Sequence, residues 1–359
     1  MKSNKKRVFS FFSLLSVSAF LVIGVIYFLS DFSPSFADYI NSGLSQSFRR
    51  IMASIGGIFP FSLFQLLVIL IPVFIFLVVY LAIRAFTAGR GLRFIINLAS
   101  LALLIYSGHL LALGVGYNTT DILVKMEIEE KEVDKDSLTE VITLLTDEIN
   151  ALAPDVPRNE NGTFDPGYSN EDTSERLCAS YDNFESKYGI ISNFDSTVKS
   201  VGAGHFMSYL GLSGIYTYYT GEANVNSDPP PQDRIFTSAH EMAHQRGILR
   251  ENEANFVAYI VTVTSDDPNL RYSGSLEMFG YFASALYRTD KQAYYEIYQS
   301  LCEEAKADIR ASNAVWEKYG DTVFSKISDW VNNLYLKSNG TDGIISYGRV
   351  VELVVSYHK

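Results

Sequence analysis

The first third of the chain contains three long runs of apolar residues. Val8–Ser30 and Phe61–Ile83 contain no charged side chain, and Leu92–Gly116 contains only Arg93 at its start and one histidine, His109. A helix needs about 20 apolar residues to cross the hydrocarbon core of a bilayer. The pattern therefore predicts three transmembrane helices, at about 8–30, 61–83 and 92–116.

Basic residues flank these runs unevenly. They are Lys2, Lys5, Lys6 and Arg7 before the first run, and Arg84, Arg90 and Arg93 between the second and the third. Cytoplasmic loops of membrane proteins are enriched in Lys and Arg, so we expect a multi-pass protein of the cell membrane with a cytoplasmic N-terminus. The chain from Tyr117 onward is then extracytoplasmic. A cleaved signal peptide is the alternative for the first run, and the remaining two spans would give the same orientation.

Apolar residues recur every three or four positions between the first two runs. They are Phe36, Ile40, Leu44, Phe48, Ile51 and Ile55. This spacing is typical of an amphipathic helix, which we predict at about 36–56. Such a helix lies in the membrane interface or packs against the spans, and the sequence leaves both open.

The remaining residues, 117–359, have the pattern of a separate domain that is mainly helical. Ser137-x-x-Glu140 matches a capping box and predicts a helix that ends near Pro154. Ile215–Thr220 is the best strand candidate. A further helix is predicted at about 232–246, after three prolines. The predicted fold is therefore mainly α with a small β-sheet, in the α+β class, preceded by the three transmembrane helices.

The charge of the two regions differs in sign. Residues 1–116 carry a net charge of +7, and residues 117–359 carry −18. A domain this acidic is a poor partner for nucleic acid, because phosphate contacts need clustered Lys and Arg. Both cysteines, Cys178 and Cys302, lie in the part predicted to be exported, where a disulfide is permitted. The sequence leaves open whether the two cysteines form a disulfide or remain free thiols.

The strongest chemical motif is His240-Glu241-Met242-Ala243-His244, which has the pattern HExxH. Residues four apart share one face of a helix, so His240 and His244 can bind the same Zn²⁺ ion. Glu241 lies on the adjacent face, where its carboxylate can take a proton from water at the metal. The motif therefore predicts a zinc site with Glu241 as the general base.

A catalytic zinc needs a third protein ligand. The sixth residue after His244 is Arg250, which cannot ligate, but Glu251 opens a second apolar segment. Asn255 shares a helix face with Glu251, so its amide could orient a ligand histidine. Glu253 lies about 200° away around the same helix and is the alternative ligand.

HExxH followed by Glu251-x-x-Ala254-Asn255 resembles the gluzincin metallopeptidases, whose third zinc ligand is a helical glutamate. The wider chain resembles a bacterial membrane family catalogued as domain of unknown function 3810. The residues that carry this likeness are the apolar runs, Pro60–Ser62, Gly221–Asn226, the HExxH segment, Glu251–Phe256 and Ser346–Val351. The resemblance implies a zincin-like peptidase fold with His240, His244 and Glu251 as zinc ligands. The spacing of seven residues from His244 to Glu251 is short for a gluzincin, and Asn255 stands where Asp is commoner.

These observations predict a membrane-anchored zinc metalloendopeptidase that hydrolyses peptides or proteins. Its partners are then the lipid bilayer and a peptide or protein substrate. A donor for the tetrahedral oxyanion is required, and the sequence offers four candidates without choosing among them: His205, Tyr272, Tyr347 and Arg349. The alternative function is a non-hydrolytic zinc-binding membrane sensor or scaffold that retains the zincin fold.

Overall fold

The computed structural model describes residues 9–320, 322–339 and 349–359. The basic residues before the first apolar run therefore lie outside the described residues, as do Val8 and the oxyanion candidate Tyr347. Within the described part the chain is mainly helical, with one small sheet, which confirms the predicted balance of helix and strand. The zincin-like part of the fold prediction stays a prediction.

The N-terminal region is a series of helices. They are α1 (Phe11–Phe32), α2 (Pro34–Ile40), α3 (Gln46–Gly57), α4 (Leu63–Ile69), α5 (Ile71–Thr87), α6 (Gly91–His109) and α7 (Val115–Tyr117). A π-helical turn joins α2 to α3, and another joins α6 to α7. Two stretches are long and apolar enough to cross a membrane: α1, and the continuous helix Gly91–Tyr117 that contains α6 and α7.

The second predicted span is not one helix, so the prediction of three spans is wrong in that form. Segment 61–83 is divided into α4 and α5, which are bent by 56° and form a third span only if the pair crosses as one. Pro72 lies in the first turn of α5, where it lacks an N–H and crowds the carbonyl of Val68. Glu222 from the following domain also holds the start of α4, because its carboxylate accepts hydrogen bonds from the Leu63 and Phe64 N–H groups at 2.8 and 2.9 Å.

The predicted amphipathic helix at 36–56 is present as α2 and α3. Its buried side is mixed: Ala37 and Ile40 pack against Leu111 and Val115. Arg49 is also fully buried and donates to Gln46 Oε1 and to the carbonyls of Asn41 and Ala112. Its exposed side is apolar and carries Tyr39, Leu44, Ile51, Ile55 and Ile58. The segment therefore contacts the rest of the protein through both apolar and polar groups, and it leaves several large apolar side chains exposed.

The following domain contains eleven helices among the described residues and three strands. The helices are α8 (Ile122–Lys125), α9 (Lys135–Leu152), α10 (Asn170–Tyr188), α11 (Phe206–Tyr209), α12 (Pro231–Gln245), α13 (Glu251–Val263), α14 (Pro268–Thr289), α15 (Lys291–Ser300), α16 (Glu303–Tyr319), α17 (Val323–Ser338) and α18 (Val350–His358). The strands are β1 (Lys199–Val201), β2 (Gly214–Thr217) and β3 (Glu222–Asn226), and a 3₁₀ turn precedes α11.

The sheet has the strand order β1–β3–β2, with β1 parallel and β2 antiparallel to β3. β3 is buried at every residue, whereas β2 lies at the edge of the sheet and packs on α12. The predicted strand at Ile215–Thr220 is therefore confirmed, although it ends earlier, at Thr217. The chain then turns back into β3 within four residues.

Helix α13 is the centre of the core. All its residues from Glu253 to Thr262 are buried, and α10, α12, α14 and α18 pack around it. A helix that is apolar on nearly all sides belongs in a protein interior. Its first residue, Glu251, is thereby held at a fixed place at the edge of the core.

Two smaller expectations have clear outcomes. The predicted capping box of Ser137 with Glu140 is wrong, because Asp134 caps α9 and accepts from the Ser137 N–H at 2.8 Å, while Ser137 Oγ accepts from the Asp134 N–H at 3.0 Å. The two patterns overlap in sequence, and the helix begins at the earlier one. Cys178 and Cys302 are both free thiols.

Candidate metal centre

The HExxH segment lies in α12, which spans Pro231–Gln245 and confirms the helix predicted at about 232–246. The chain leaves α12 at Arg246, turns through Gly247 with φ at +94°, and enters α13 at Glu251. A side chain at Gly247 would also meet the Arg49 guanidinium, whose Cζ lies 3.1 Å from the position of a Cβ. Glycine is therefore required here, and the sharp turn folds Glu251 back onto the two histidines.

Three of the predicted side chains converge at one point. Glu251 Oε2 lies 3.2 Å from His240 Nε2 and 3.6 Å from His244 Nε2. The candidate ligand atoms of all three residues lie within 4.8 Å of one another. The two imidazole rings are nearly perpendicular, with centroids 4.6 Å apart. This arrangement can hold a metal ion.

The alternative ligand Glu253 is directed elsewhere. Its carboxylate accepts from Arg250 Nη1 at 2.7 Å and from the Ile122 N–H at 3.1 Å. It is nearly fully buried and lies outside the cluster. Two residues along a helix correspond to a rotation of about 200°, which explains why only one of the two glutamates can face the histidines.

The charges of the centre are strongly coupled. Burial disfavours the charged form of His244, but the Glu251 carboxylate outweighs burial and raises the pKa of His244 to about 9. Burial acts in the opposite sense on Glu251, whose pKa is held well below its usual range by the charge of His244 and the hydrogen bonds from both histidines. Burial raises the pKa of the Glu241 carboxyl to about 7. The centre thus favours a positive charge next to Glu251.

Glu241 lies between the two histidines and the edge strand. It is buried, and its Oε2 has no hydrogen-bond partner among the described residues. Gly214, the first residue of β2, leaves the space that the Glu241 carboxylate occupies, because a Cβ there would lie 2.8 Å from Glu241 Cγ. The carboxylate is therefore positioned next to the edge of the sheet.

The groups that orient the histidines differ from the prediction. His244 Nδ1 contacts the Ile248 carbonyl at 2.8 Å, which leaves Nε2 facing the cluster. Asn255 was expected to orient a histidine, but its amide donates to the Tyr281 hydroxyl at 3.2 Å. The side chain of Asn255 faces α14 instead, so this expected contact is wrong. His240 Nδ1 is buried and has no partner in the described part of the chain.

The three oxyanion candidates that the structure describes do not form part of the cluster of three described above. His205 contacts Asp228 at 2.7 Å, and Tyr272 donates to Asp308 at 2.5 Å. Arg349 directly precedes α18, and Tyr347 lies outside the described residues. A residue that sequence reasoning missed is Tyr335 in α17: burial and the charge of Glu251 are among the causes that raise the pKa of Tyr335 to about 12, so its hydroxyl is within electrostatic reach of the centre.

The centre lies beside the C-terminal part of the helix formed by α6 and α7. The Tyr218 hydroxyl donates to the Ile105 carbonyl at 3.0 Å, and the Tyr335 ring contacts the rings of Tyr117 and His109. His109, a polar residue in the third apolar run, is thus surrounded by tyrosine rings.

The turn after α12 is tied to the N-terminal region as well. Asn41 Nδ2 donates to the Gly247 carbonyl at 2.9 Å, and this hydrogen bond is buried. The chain from residue 41 therefore contacts the turn that positions Glu251.

Comparison with known proteins assigns the chain to a family. Residues 39–355 match the family described as Protein of unknown function (DUF3810). The chain belongs to this family. No curated protein and no solved structure shows significant similarity to it. The DUF3810 match begins inside α2 and includes α3, the apolar helix Gly91–Tyr117 and the candidate metal centre.

Proposed function

We propose that this protein is a membrane-anchored zinc metallopeptidase, and that His240, His244 and Glu251 hold the zinc. The observation that carries the proposal is the convergence of these three side chains with Glu241 beside them. Two imidazoles and one carboxylate are the donor set of many catalytic zinc sites, in which a fourth position stays open. The zincin-like fold implied by the sequence resemblance belongs to this same proposal.

The two distances from the Glu251 carboxylate to the histidine nitrogens fit a small tetrahedral ion. Ligand atoms about 2.1 Å from a tetrahedral zinc lie about 3.4 Å from one another. The measured separations of Glu251 Oε2 from the two histidine nitrogens, 3.2 and 3.6 Å, bracket this value. The Ile248 carbonyl supplies the hydrogen bond that zinc-binding histidines usually make through their other nitrogen.

Each group of the chain has a role in peptide hydrolysis. Bound zinc supplies a Lewis acid that polarises a carbonyl and lowers the pKa of water. Glu241 accepts the proton of the attacking water and passes it to the leaving nitrogen. β2 offers its free edge to an extended substrate backbone, as sheet edges do for an added strand. Tyr335, whose pKa is affected by the charge of Glu251, is our candidate donor to the oxyanion.

The membrane setting follows from two exposed apolar faces next to the outer end of α6 and α7. One is the outward face of α2 and α3. The other is on α17, where Val323, Phe324, Ile327, Trp330, Val331 and Leu334 are each more than half exposed. Large exposed apolar patches mark membrane or protein contacts, and an amphipathic helix with such a face lies in the lipid interface. We therefore propose a centre at the extracytoplasmic membrane surface, where peptides or proteins are cleaved.

The proposal is tested with the full-length chain in detergent. Zinc content is measured by elemental analysis for the wild type, Glu251→Gln, Glu253→Gln and Glu241→Gln. We expect about one zinc per chain in all but Glu251→Gln, because only that carboxylate faces the histidines. Glu253→Gln is the matched control for removing a buried carboxylate from the same helix.

Cleavage of a mixed peptide library is then followed by mass spectrometry. We expect Glu241→Gln to keep its zinc and to lose about 10²–10⁴-fold in rate, the usual contribution of a general base. A chain that binds zinc but cleaves no peptide, with or without Glu241, is instead the non-hydrolytic sensor or scaffold. A chain without zinc at all contradicts both functions.

A further inference from the structure

A cavity lies about two helical turns before the candidate metal centre along α12. Its volume is about 420 Å³, and its walls are the first turn of α12, one side of α14 and one side of α16. Sites for small ligands usually have volumes of about 300–1,000 Å³. The cavity is therefore large enough for one amino-acid side chain and too small for a folded partner.

The wall of this cavity is acidic. Asp233 and Glu277 both line it, and the described lining residues include no Lys, Arg or His. Asp233 accepts a hydrogen bond from Ser312 Oγ at 2.7 Å. The Glu277 side chain forms no hydrogen bond or ion pair with any described residue. The charge of Asp233 acts on Glu277, so the two carboxylates repel each other when both are ionised, and the described wall supplies no positive partner.

Gln232 gives an independent reason to expect a ligand that donates hydrogen bonds. The residue is only 2% exposed and lines the same cavity. Its Nε2 donates to the Asp308 carbonyl at 3.1 Å and to Ser312 Oγ at 3.2 Å, which fixes the amide. Its Oε1 has no hydrogen-bond partner among the described residues. Buried acceptors are nearly always satisfied in proteins, so this oxygen is an unused acceptor for a bound donor.

The remaining features of the cavity suit an organic cation. Trp316 and Tyr281 line the cavity, and aromatic faces attract guanidinium and ammonium groups. Burial raises the pKa of Asp233 to about 6, and burial together with the charge of Asp233 raises the pKa of Glu277 to about 8. A cation between the carboxylates would relieve this repulsion and restore their charges.

The cavity is connected to the metal centre by α12 and by Tyr281. Asp233 and His240 are seven residues apart, so they share one face of α12 at a separation of about 10 Å along its axis. An extended peptide covers this distance in about three residues. Tyr281 lines the cavity and also accepts the hydrogen bond from Asn255, one turn after Glu251.

We propose that this cavity binds the cationic side chain of a peptide substrate, an arginine or a lysine, two or three residues from the bond held at the metal centre. The role of this cavity in substrate choice rests on the proposed peptidase function. The binding of the cation itself does not, because the cavity and its carboxylates lie outside the metal centre. The two can therefore be tested separately.

Trp316 is the reporter for binding. The chain has two tryptophans, so the full-length Trp330→Phe variant in detergent fluoresces from Trp316 alone. It is titrated with acetyl-arginine amide, with the neutral and similarly shaped acetyl-citrulline amide, and with Mg²⁺. We expect a saturable change with the arginine compound and at least tenfold weaker binding of the citrulline compound. Adding Asp233→Asn and Glu277→Gln should weaken arginine binding at least tenfold, whereas Glu317→Gln, an exposed residue beside Trp316, should not.

The possible outcomes separate the proposals. Equal binding of the two amides, or saturation by Mg²⁺ that excludes the arginine compound, overturns the organic-cation site. If the double variant does not fold, Glu277→Gln alone provides the test, because that side chain has no structural partner to lose. Arginine binding without cleavage of any peptide leaves the cation site in place and removes the peptidase. If peptides are cleaved, replacing arginine by citrulline should lower kcat/KM in the wild type and have less effect in the double variant.

Discussion

Gly214 allows the position of Glu241 to be tested separately from metal binding. A Cβ at this position would lie 2.6 Å from Thr237 Cγ2 and 2.8 Å from Glu241 Cγ, and closer still to Glu241 Oε1. Ordinary contacts begin near 3.4 Å, so the carboxylate must move by about 1 Å to admit the methyl group. The φ angle of Gly214 is not among the positive ones, so alanine is compatible with the backbone itself. The effect of Gly214→Ala therefore falls on the neighbouring side chains.

A displacement of about 1 Å in an active site can cost about 10²-fold in rate. We expect Gly214→Ala to keep about one zinc per chain, because the atoms nearest to the added methyl group belong to Glu241 and Thr237 and not to the three proposed ligands. We expect it to lose about 100-fold in kcat/KM on a cleaved peptide. Gly57→Ala is the matched control, since a Cβ there meets no atom within 4 Å. Undiminished activity with zinc bound would refute the role of Glu241 in proton transfer. Loss of zinc would show that the two functions of the site are not separable in this way.

Three further predictions address stability, membrane contact and pH. Arg49→Met removes the donors from two buried carbonyls, so it should lower the free energy of unfolding by about 2–3 kcal/mol. The measurement is denaturation in detergent, and an unchanged free energy contradicts a structural role for this guanidinium. Lipid contact by α17 is tested in liposomes of brominated lipid, which quenches the fluorescence of tryptophans near it. The emission of Trp330, observed alone in Trp316→Phe, should be quenched, and that of Trp316, observed alone in Trp330→Phe, should not. An unquenched Trp330 argues against lipid contact by α17. Binding of acetyl-arginine amide needs ionised carboxylates, so its affinity should be greatest above the pKa of about 8 of Glu277. The affinity should fall about tenfold per pH unit towards the pKa of about 6 of Asp233, whose neighbours are Asp308, Arg234 and Ser312. A flat profile in titrations from pH 5 to 9 contradicts this expectation.

The parts of the site that the sequence predicts are those set by spacing along one helix. The bounds of α12 and the start of α13 agree with the expectation to within a residue or two. The choice between Glu251 and Glu253 is a question of helical phase, which sequence defines once the start of α13 is known. The sequence left this choice open because a shift of one or two residues at a helix start exchanges the two faces.

The parts that the sequence does not predict depend on contacts between distant segments. Asn255 meets Tyr281 across 26 residues, and Tyr335 reaches the centre from a helix about 80 residues away. The contact between His244 Nδ1 and the Ile248 carbonyl cannot be predicted from the sequence, because every residue has a carbonyl. The break at Leu70 did have a visible signal in Pro72, but the count of apolar residues gives proline no special weight.

The amphipathic helix shows a second limit of pattern analysis. A periodic apolar stripe normally identifies the side that faces the protein. In α2 and α3 only part of the stripe packs inward, whereas Leu44, Ile51 and Ile55 are exposed and the polar Arg49 is buried. The rule assumes that water is the only alternative environment. If lipid takes the place of water, the apolar side can face outward, and the polar groups find their partners within the protein, as Arg49 does.

The contacts across the predicted domain boundary at residue 116 imply that the N-terminal region has a role beyond the proposed membrane anchoring. Asn41 satisfies the Gly247 carbonyl, and Arg49 packs against Gly247 itself, in the turn that brings Glu251 to the histidines. Glu222, in strand β3, accepts hydrogen bonds from the start of α4, so the sheet and the N-terminal helices stabilise each other. A fragment that begins at residue 117 would leave the Gly247 carbonyl without its buried donor and free the turn to move. Zinc affinity should therefore be lower in such a fragment than in the full chain, and equal affinity would show that α12 and α13 position the ligands unaided.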